Sequence, residues 1–397
     1  MKLTVVIVNY NVRYYVEQCL RSLQRALANV DAQVYVVDNH SKDDSVALLQ
    51  PLFPDVHFVA SNHNLGFARA NNIAIRQTES DYVLLLNPDT IVAEDTIARC
   101  VEFMDAHPDA GVVGVKMLTT TGKPAMESRR AVPSPMVSFY KMTGLCARFP
   151  KSRRFGRYYL GYLPWDQPVE IEVASGAFSL LRRVAIDEVG LLDEDFFMYG
   201  EDIDLSYRLL KGGYRNWYLP QRILHYKGES TKKSSFRYVH VFYEAMLIFF
   251  RKHYGHLSGL LSIPIKIAIY GKAFLALISM VTERVSRSLG FFAGSASQQT
   301  DYLFVGSEQM IERCREIALR NGLSASFLVG DETSLPDGHA AMAGHPGGNL
   351  TNVIYDTAAY SYDAIFDIFE RHEAENVRMA FYHPESNIVI TEKEIYK

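Results

Sequence analysis

The first 120 residues alternate short apolar runs with stretches whose apolar positions fall three or four apart. Leu3 to Val8 reads as a strand, and Val12, Val16, Leu20, Leu23 and Leu27 then recur at helical spacing. Gln33 to Asn39 predicts a second strand, and Ser41 beyond it is a candidate helix cap. Val56 to Val59 predicts a third strand, and Asn64 to Asn72 opens another helical stretch. Tyr82 to Leu86 is uniformly apolar or aromatic, as a buried central strand should be, and Pro88 stops it at Asn87. Ile91 to Met104 reads as a helix and Val112 to Val115 as a return to strand. Strand and helix signals alternating on short connections predict an α/β fold with a mostly parallel central sheet.

Such a sheet brings the carboxyl ends of its strands to one rim, where open α/β folds bind ligands. Asn9 to Asn11, Asp38-Asn39 and Asn87 to Asp89 all fall there. Asp38 is placed to accept hydrogen bonds from a base or ribose. Asp89, taken alone, fits an Asx turn as well as a divalent-cation ligand. No Gly-x-Gly-x-x-Gly follows the first strand and no Gly-Lys-Ser/Thr phosphate loop occurs, which disfavours dinucleotide oxidoreductases and P-loop ATPases. A hydrophobic content of 48% supplies a sizeable core, and a net charge of -4 over 397 residues gives no general nucleic-acid signal. Positive charge is local, at Lys151, Arg153, Arg154 and Arg157 and at Lys232-Lys233. Four widely spaced cysteines suggest neither a disulfide scaffold nor a zinc site, and the amino terminus leads into a strand rather than a signal peptide.

Residues 119 to 173 are less regular. Arg129 and Arg130 are adjacent cations suited to a diphosphate or to solvent, with the solvated surface as the default. Arg153 to Trp165 mixes cations with Tyr158, Tyr159, Tyr162 and Trp165, which suit a sugar or lipid-linked acceptor, or loop packing. The small residues Ser175-Gly176-Ala177 permit close backbone approach to a sugar, or a plain sheet bend. In Leu192 to Leu205, Gly200 supports a sharp turn that sets Glu201-Asp202 at the amino end of a helix. His225, at the end of a further strand signal, offers an imidazole to the same cation as Asp89, against a purely structural reading.

In this order, Val5 to Asn11, Val37 to Ser41, Asn64 to Asn72, Asn87-Pro88-Asp89, Ser175-Gly176-Ala177, Glu201-Asp202 and His225 resemble the family 2 nucleotide-sugar glycosyltransferases of the GT-A fold, especially rhamnosyltransferase-like members. The match runs from about Lys2 to Tyr254. The usual Asp-x-Asp metal motif stands here as Asn87-Pro88-Asp89, which leaves Asp89 as the main carboxylate ligand. The resemblance implies a nucleoside-diphosphate sugar donor, with Asn9, Asp38, Asn64, Gly66, Asn71, Ser175 and Gly176 in the donor-binding set and Asp38 on the nucleoside. It implies Mg²⁺ or Mn²⁺ held by Asp89 and His225, Asp202 as general base and Glu201 supporting the acceptor, with Asp204 as a competing base. The implied reaction is inverting transfer to a hydroxyl of a glycan or polyprenyl-linked acceptor. A regulatory protein that binds sugar nucleotides without turnover and a nucleotidyltransferase are the alternatives.

Three segments follow: 1–254 as the catalytic domain, 255–297 as an apolar helical connector and 298–397 as a small α/β accessory domain. Phe236 to Phe250 reads as an apolar helix. Leu257 to Ile278 is interrupted by Lys266 and Lys272 and fits an interfacial segment better than a span, with Arg284 and Arg287 placed for anionic lipid. That expectation puts the chain in the cytoplasm, in peripheral contact with the inner face of a bacterial membrane. The tail alternates strand signals at Tyr302 to Gly306, Ala325 to Val329, Asn352 to Asp356 and Val377 to Tyr382 with helical runs at Met310 to Leu319 and Tyr362 to Phe369. Gly338 to Gly348 reads as a loop and Ser386 to Thr391 as an edge strand. The tail loosely resembles the Rossmann-like soluble domain of polyprenyl sugar-phosphate transferases.

Overall fold

A computed structural model of the chain describes residues 1–226, 236–255, 300–341 and 349–397. The connector core, with the expected interfacial segment at 257–278, and residues 342–348 of the glycine-rich stretch lie outside them. Gly338–Ala341 forms a 3₁₀ turn.

The first module opens with β1 (Leu3–Asn9), α1 (Arg13–Ala26), β2 (Ala32–Asp38), α2 (Ser45–Leu49), β3 (Val56–Ala60), α3 (Phe67–Ile75) and β4 (Tyr82–Leu86). β3, β2, β1 and β4 lie side by side, all parallel. Alternation along β1 explains the layering. Leu3, Val5 and Ile7 face α1, whose Val16, Cys19, Leu20 and Leu23 are fully covered, while Val6 and Val8 pack on α3 through Ala70 and Ala74. Each such leucine contributes about 1.5–3 kcal/mol by burial. Ser41 caps no helix: α2 begins at Ser45, and the Ser41 hydroxyl instead accepts from Asn9 and the Asn11 N–H.

Next come β5 (Thr90–Val92), α4 (Thr96–Ala106), β6 (Ala110–Leu118), β7 (Arg129–Arg130), α5 (Pro135–Met142), α6 (Leu145–Arg148), β8 (Val169–Ile171), β9 (Val173–Ala174), β10 (Phe178–Arg182), α7 (Arg183–Val189), α8 (Glu201–Lys211), β11 (Arg215–His225) and α9 (Phe236–His253). The helix expected from Ile91 therefore starts only at Thr96. Ile91 and Val92 are strand, because Leu224 and Ile223 of β11 pair with them in antiparallel register. The sheet order is β3-β2-β1-β4-β10-β6-β11-β5, with β8 also on β11. β10 runs antiparallel between β4 and β6, and β6 and β11 are parallel. Pro220 falls where the β11 register shifts between Leu219 and Arg222, as a residue without an N–H requires.

The second module holds β12 (Thr300–Gly306), α10 (Glu308–Asn321), β13 (Ser324–Val329), β14 (Leu350–Asp356), α11 (Tyr362–Arg371), β15 (Val377–His383), β16 (Ile388–Ile390) and β17 (Ile395–Tyr396). Its strand order is β13-β12-β14-β15-β16-β17, the first four parallel. The strand expected near Ser386 to Thr391 is β16, but it is not the edge: β17 pairs outside it.

The two modules share apolar core, since Leu303, Tyr355, Ile365 and Phe366 join the cluster built on α1 and α4. Thr120 O accepts from Met379 N at 2.7 Å. The Glu94 carboxylate accepts the first N–H groups of α11, from Tyr362 at 3.0 Å and Asp363 at 3.1 Å, where the helix dipole favours a negative charge. Arg222 on β11 is clamped by Asp363, Asp367 and Glu370 of α11. Among the described residues no helix is long and apolar enough to cross a membrane.

Candidate active site

β4 delivers Asn87 to the rim, and the next residues turn back at once. Thr90 Oγ1 donates to Asn87 O at 2.8 Å, closing the turn around Pro88 and Asp89. Cys19 underlies it, 3.6 Å from Thr90 Oγ1, its thiol pushed up to about 12 by burial and therefore inert. The short β5–β11 pairing sets His225 opposite Thr90, and Tyr226 N–H donates to Asp89 O at 3.1 Å. His225 Nε2 consequently lies 3.3 Å from Asp89 Oδ1 and 3.4 Å from Asn87 Nδ2. Both expected metal ligands are thus in one place, and the 4% exposure of Asp89 makes its charge costly to leave uncompensated. Among the described residues no group of three or more His, Cys, Asp or Glu is arranged to hold a metal ion. One carboxylate and one imidazole suit a hard divalent cation that takes its remaining oxygens from a diphosphate and water, and do not suit a closed protein cage.

The other half of the rim is built by α8. Gly200 adopts a φ of +88°, which turns the chain sharply into the helix. Asp202 Oδ2 accepts from Arg130 and from Gly176 N–H at 3.1 Å. Glu201 is buried beside it with Oε2 unpartnered. Burial, reinforced by the neighbouring Asp202 charge, raises its carboxyl well above the usual range. Asp204 has a different role. It is fully buried, with Oδ1 2.7 Å from His253 Nε2 and 2.9 Å from Lys252 Nζ, and Oδ2 2.8 Å from Arg208 Nε. Burial opposes its charge, yet His253, Arg208 and Lys252 together bring it down to about 2. Asp204 is a fully buried tie between α8 and α9.

Ser175-Gly176-Ala177 connects the two halves. Ala177 O accepts from Asn87 N at 3.0 Å while Gly176 N–H holds Asp202. The turn expected to approach a donor sugar therefore also touches the proposed base. The paired arginines are not solvated. Arg129 is fully buried, donates to Leu163 O and Pro164 O, and lies 3.7 Å from the centre of the Trp165 ring. Its charge is spent on loop packing, so it cannot meet a diphosphate. Arg130 is committed to Asp202 and Ala174 O.

At the β1–β2 end, Asp38 is buried. Oδ1 accepts from Asn9 Nδ2 at 2.7 Å and Oδ2 from Ser41 N–H at 2.9 Å. Asn9 Oδ1 and Asn71 Oδ1 are buried without hydrogen-bond partners. Asn64 and Gly66 meet at Asn39, a residue the sequence placed at a strand end but not in the site: its amide donates to Asn64 Oδ1 at 3.0 Å and Gly66 O at 3.1 Å, and accepts from Leu65 N–H at 2.7 Å. Gly66 has a φ of +82°, and a Cβ there would stand 2.5 Å from Phe197 O, so only glycine lets this loop close on the segment before α8.

Residues 4–190 match the family model described as glycosyl transferase family 2. A Mycobacterium tuberculosis N-acetylglucosaminyl-diphospho-decaprenol L-rhamnosyltransferase is 28% identical over 299 residues, 72% of this chain and 95% of its own length. A low-salt glycan biosynthesis hexosyltransferase of Haloferax volcanii is 27% identical over 52% of this chain and 61% of its own, and a Staphylococcus aureus poly-β-1,6-N-acetyl-D-glucosamine synthase 26% identical over 55% and 48%. Residues 4–190 are thus a glycosyl transferase family 2 segment of this chain.

Proposed function

We propose that the chain transfers a sugar from a nucleoside-diphosphate sugar to a hydroxyl of a polyprenyl-linked or other glycan acceptor, with inversion, in the building of a cell-surface polysaccharide. The observation that supports this reading is the Asn87–Ala177–Gly176–Asp202 chain of contacts, which links the turn carrying the Asp89–His225 pair to the Asp202 carboxylate. The acceptor oxygen attacks the anomeric carbon, its proton passes to Asp202, and the carbon–oxygen bond to the diphosphate breaks with its electron pair leaving on the nucleotide. Oδ2 of Asp202 is anchored, so Oδ1, which among the described residues takes only the Ile203 N–H, is the oxygen assigned to that proton. Glu201, neutral through burial, suits a hydrogen-bond donor to the acceptor rather than a second base. The ends of β1 and β2, carrying Asn9 and Asp38, and the loop into α3, carrying Asn64 and Gly66 with Asn71 in the helix behind it, are assigned to the nucleoside side, with Asp38 bracing the turn beneath it. Asp89 and His225 would hold Mg²⁺ or Mn²⁺, which neutralises charge on the leaving diphosphate when bound.

The test is a donor panel with Mg²⁺, Mn²⁺ or chelator, read by mass spectrometry, with deoxythymidine diphosphate rhamnose first because the M. tuberculosis relative bears a rhamnosyltransferase name. Calorimetry of donor binding accompanies it. Metal-dependent binding that is lost in Asp89→Ala is expected. Binding that ignores both metal and Asp89 would overturn the metal assignment, and a panel in which no donor binds or turns over would overturn the reaction.

A further inference from the structure

From Ser128 to Trp165 the sequence carries eight Lys or Arg (129, 130, 141, 148, 151, 153, 154 and 157) and no Asp or Glu, in a chain whose acids outnumber its bases. This segment folds as a small lobe around Val137, Cys146 and Tyr158. One face of α5 is buried there. The opposite face exposes Met136 at 57%, Phe139 at 54% and Met142 at 47%, and Phe149, just past α6, is 45% exposed. Ring contacts run from Phe139 to the buried Tyr140, on to the half-buried Phe155 and then to Phe149, so the exposed rings of α5 and of the segment after α6 are backed by one aromatic cluster. Arg148, Lys151, Arg153 and Arg154 are exposed around it and have no carboxylate partner among the described residues. Arg157 differs, since it is paired with Glu172.

Exposed large apolar side chains grouped on one helix face mark an interaction surface rather than ordinary surface scatter. Unpaired cations around them select an anionic partner, and the combination fits the boundary between headgroups and acyl chains. We propose that the α5–α6 lobe is a membrane-docking surface that seats on an anionic lipid bilayer, with Met136, Phe139, Met142 and Phe149 entering the interface and Arg148, Lys151, Arg153 and Arg154 meeting the headgroups. The lobe is coupled to the cleft. Tyr158, whose ring lies 3.6 Å from Lys141 Nζ, stands beside Arg130, and Arg130 holds Asp202. Resting on the glycosyltransferase reading above, this geometry brings a lipid-anchored acceptor to the base from the bilayer side.

The test uses the full chain with vesicles of phosphatidylcholine alone or with one-third phosphatidylglycerol, read by co-sedimentation at low and physiological salt. Wild type should bind the anionic vesicles, less at higher salt. Neutralising the four cations to Gln should weaken partition by more than a hundredfold, at about fivefold per charge. Met136→Ser with Phe139→Ser should weaken it at least tenfold, with thermal unfolding unchanged because both side chains are exposed. Equal binding to both vesicle types, or full binding by either variant, would overturn the proposal, as would no binding by wild type, the outcome expected of a protein-docking face. Binding needs no turnover, so a failed donor panel and a failed docking surface are distinguishable.

Discussion

Asp202 and Asp204 lie two residues apart on the same helix turn, and the same substitution at each should have opposite consequences. Asp204→Asn removes a carboxylate that is fully buried among His253, Lys252 and Arg208. Its depression from the ordinary 3.8 to about 2 corresponds to about 2.5 kcal/mol at neutral pH. The sign follows from a lowered value: the stabilisation is present above the unfolded pKa and is lost as pH falls toward 2. Substitution also leaves the largely buried Arg208 without its carboxylate, which brings the expected cost to about 3–5 kcal/mol. Asp202→Asn keeps an oxygen for the Arg130 guanidinium, and Arg130 keeps Ala174 O, so its cost is only about 1–2 kcal/mol. Its loss falls on turnover, about 10²–10⁴-fold in kcat, with donor affinity within a fewfold of wild type. Thermal unfolding, donor calorimetry and product formation on the same preparations separate the two. Turnover by Asp202→Asn within tenfold of wild type, or a well-folded Asp204→Asn without turnover, would refute the assignment of the base.

Glu201→Gln should flatten the pH dependence of stability. Burial holds the folded Glu201 carboxyl protonated well above the pH at which the unfolded chain ionises, so stability falls as pH rises from the ordinary carboxyl value toward the raised one; chemical denaturation from pH 5 to 8 would show the decline in wild type and a flatter profile in the variant. Gly66→Ala should cost about 1–3 kcal/mol and raise the donor KM, because its Cβ strikes Phe197 O at a φ of +82°; an unchanged Tm and KM would contradict the packing argument. Arg222→Met should loosen the second module by about 1–3 kcal/mol by leaving Asp363, Asp367 and Glu370 without their shared cation, seen as faster proteolysis of residues 300–397.

What was legible in the sequence was whatever burial writes locally. β1 and β4 are covered on both faces, so they read as apolar runs, and α1 shows its one buried stripe at helical spacing. β5 was not legible, because three residues carry no period and their pairing is fixed by β11, more than 100 residues on. That pairing matters to the site, since it is what carries His225 to Asp89. The arginines misled for the same reason. A guanidinium reads as surface until Trp165, Tyr218 and two carbonyls are known to enclose it, as they do Arg129. Asp202 and Gly176 are each candidate site residues in the sequence, but the contact between them, 26 residues apart, is not readable from either motif.

The antiparallel insertion of β10 accounts for that contact. Phe178, the first residue of β10, pairs with Leu86, the last of β4. The turn before β10 therefore emerges at the same rim as the turn after β4. A parallel strand in that position would have put Ser175-Gly176-Ala177 at the far end of the sheet, away from Asn87. Reversal of one strand thus lets three small residues reach both Asn87, beside the Asp89–His225 pair, and Asp202 at the start of α8. A larger residue at 176 would add its Cβ 3.4 Å from that of Asp202, an ordinary contact, so backbone proximity rather than steric exclusion is what the small residues supply there. The position of Asp202 relative to the Asn87 turn is consequently fixed through the residues that enter a central strand, by the Asn87 N–H to Ala177 O on one side and the Gly176 N–H to the Asp202 carboxylate on the other.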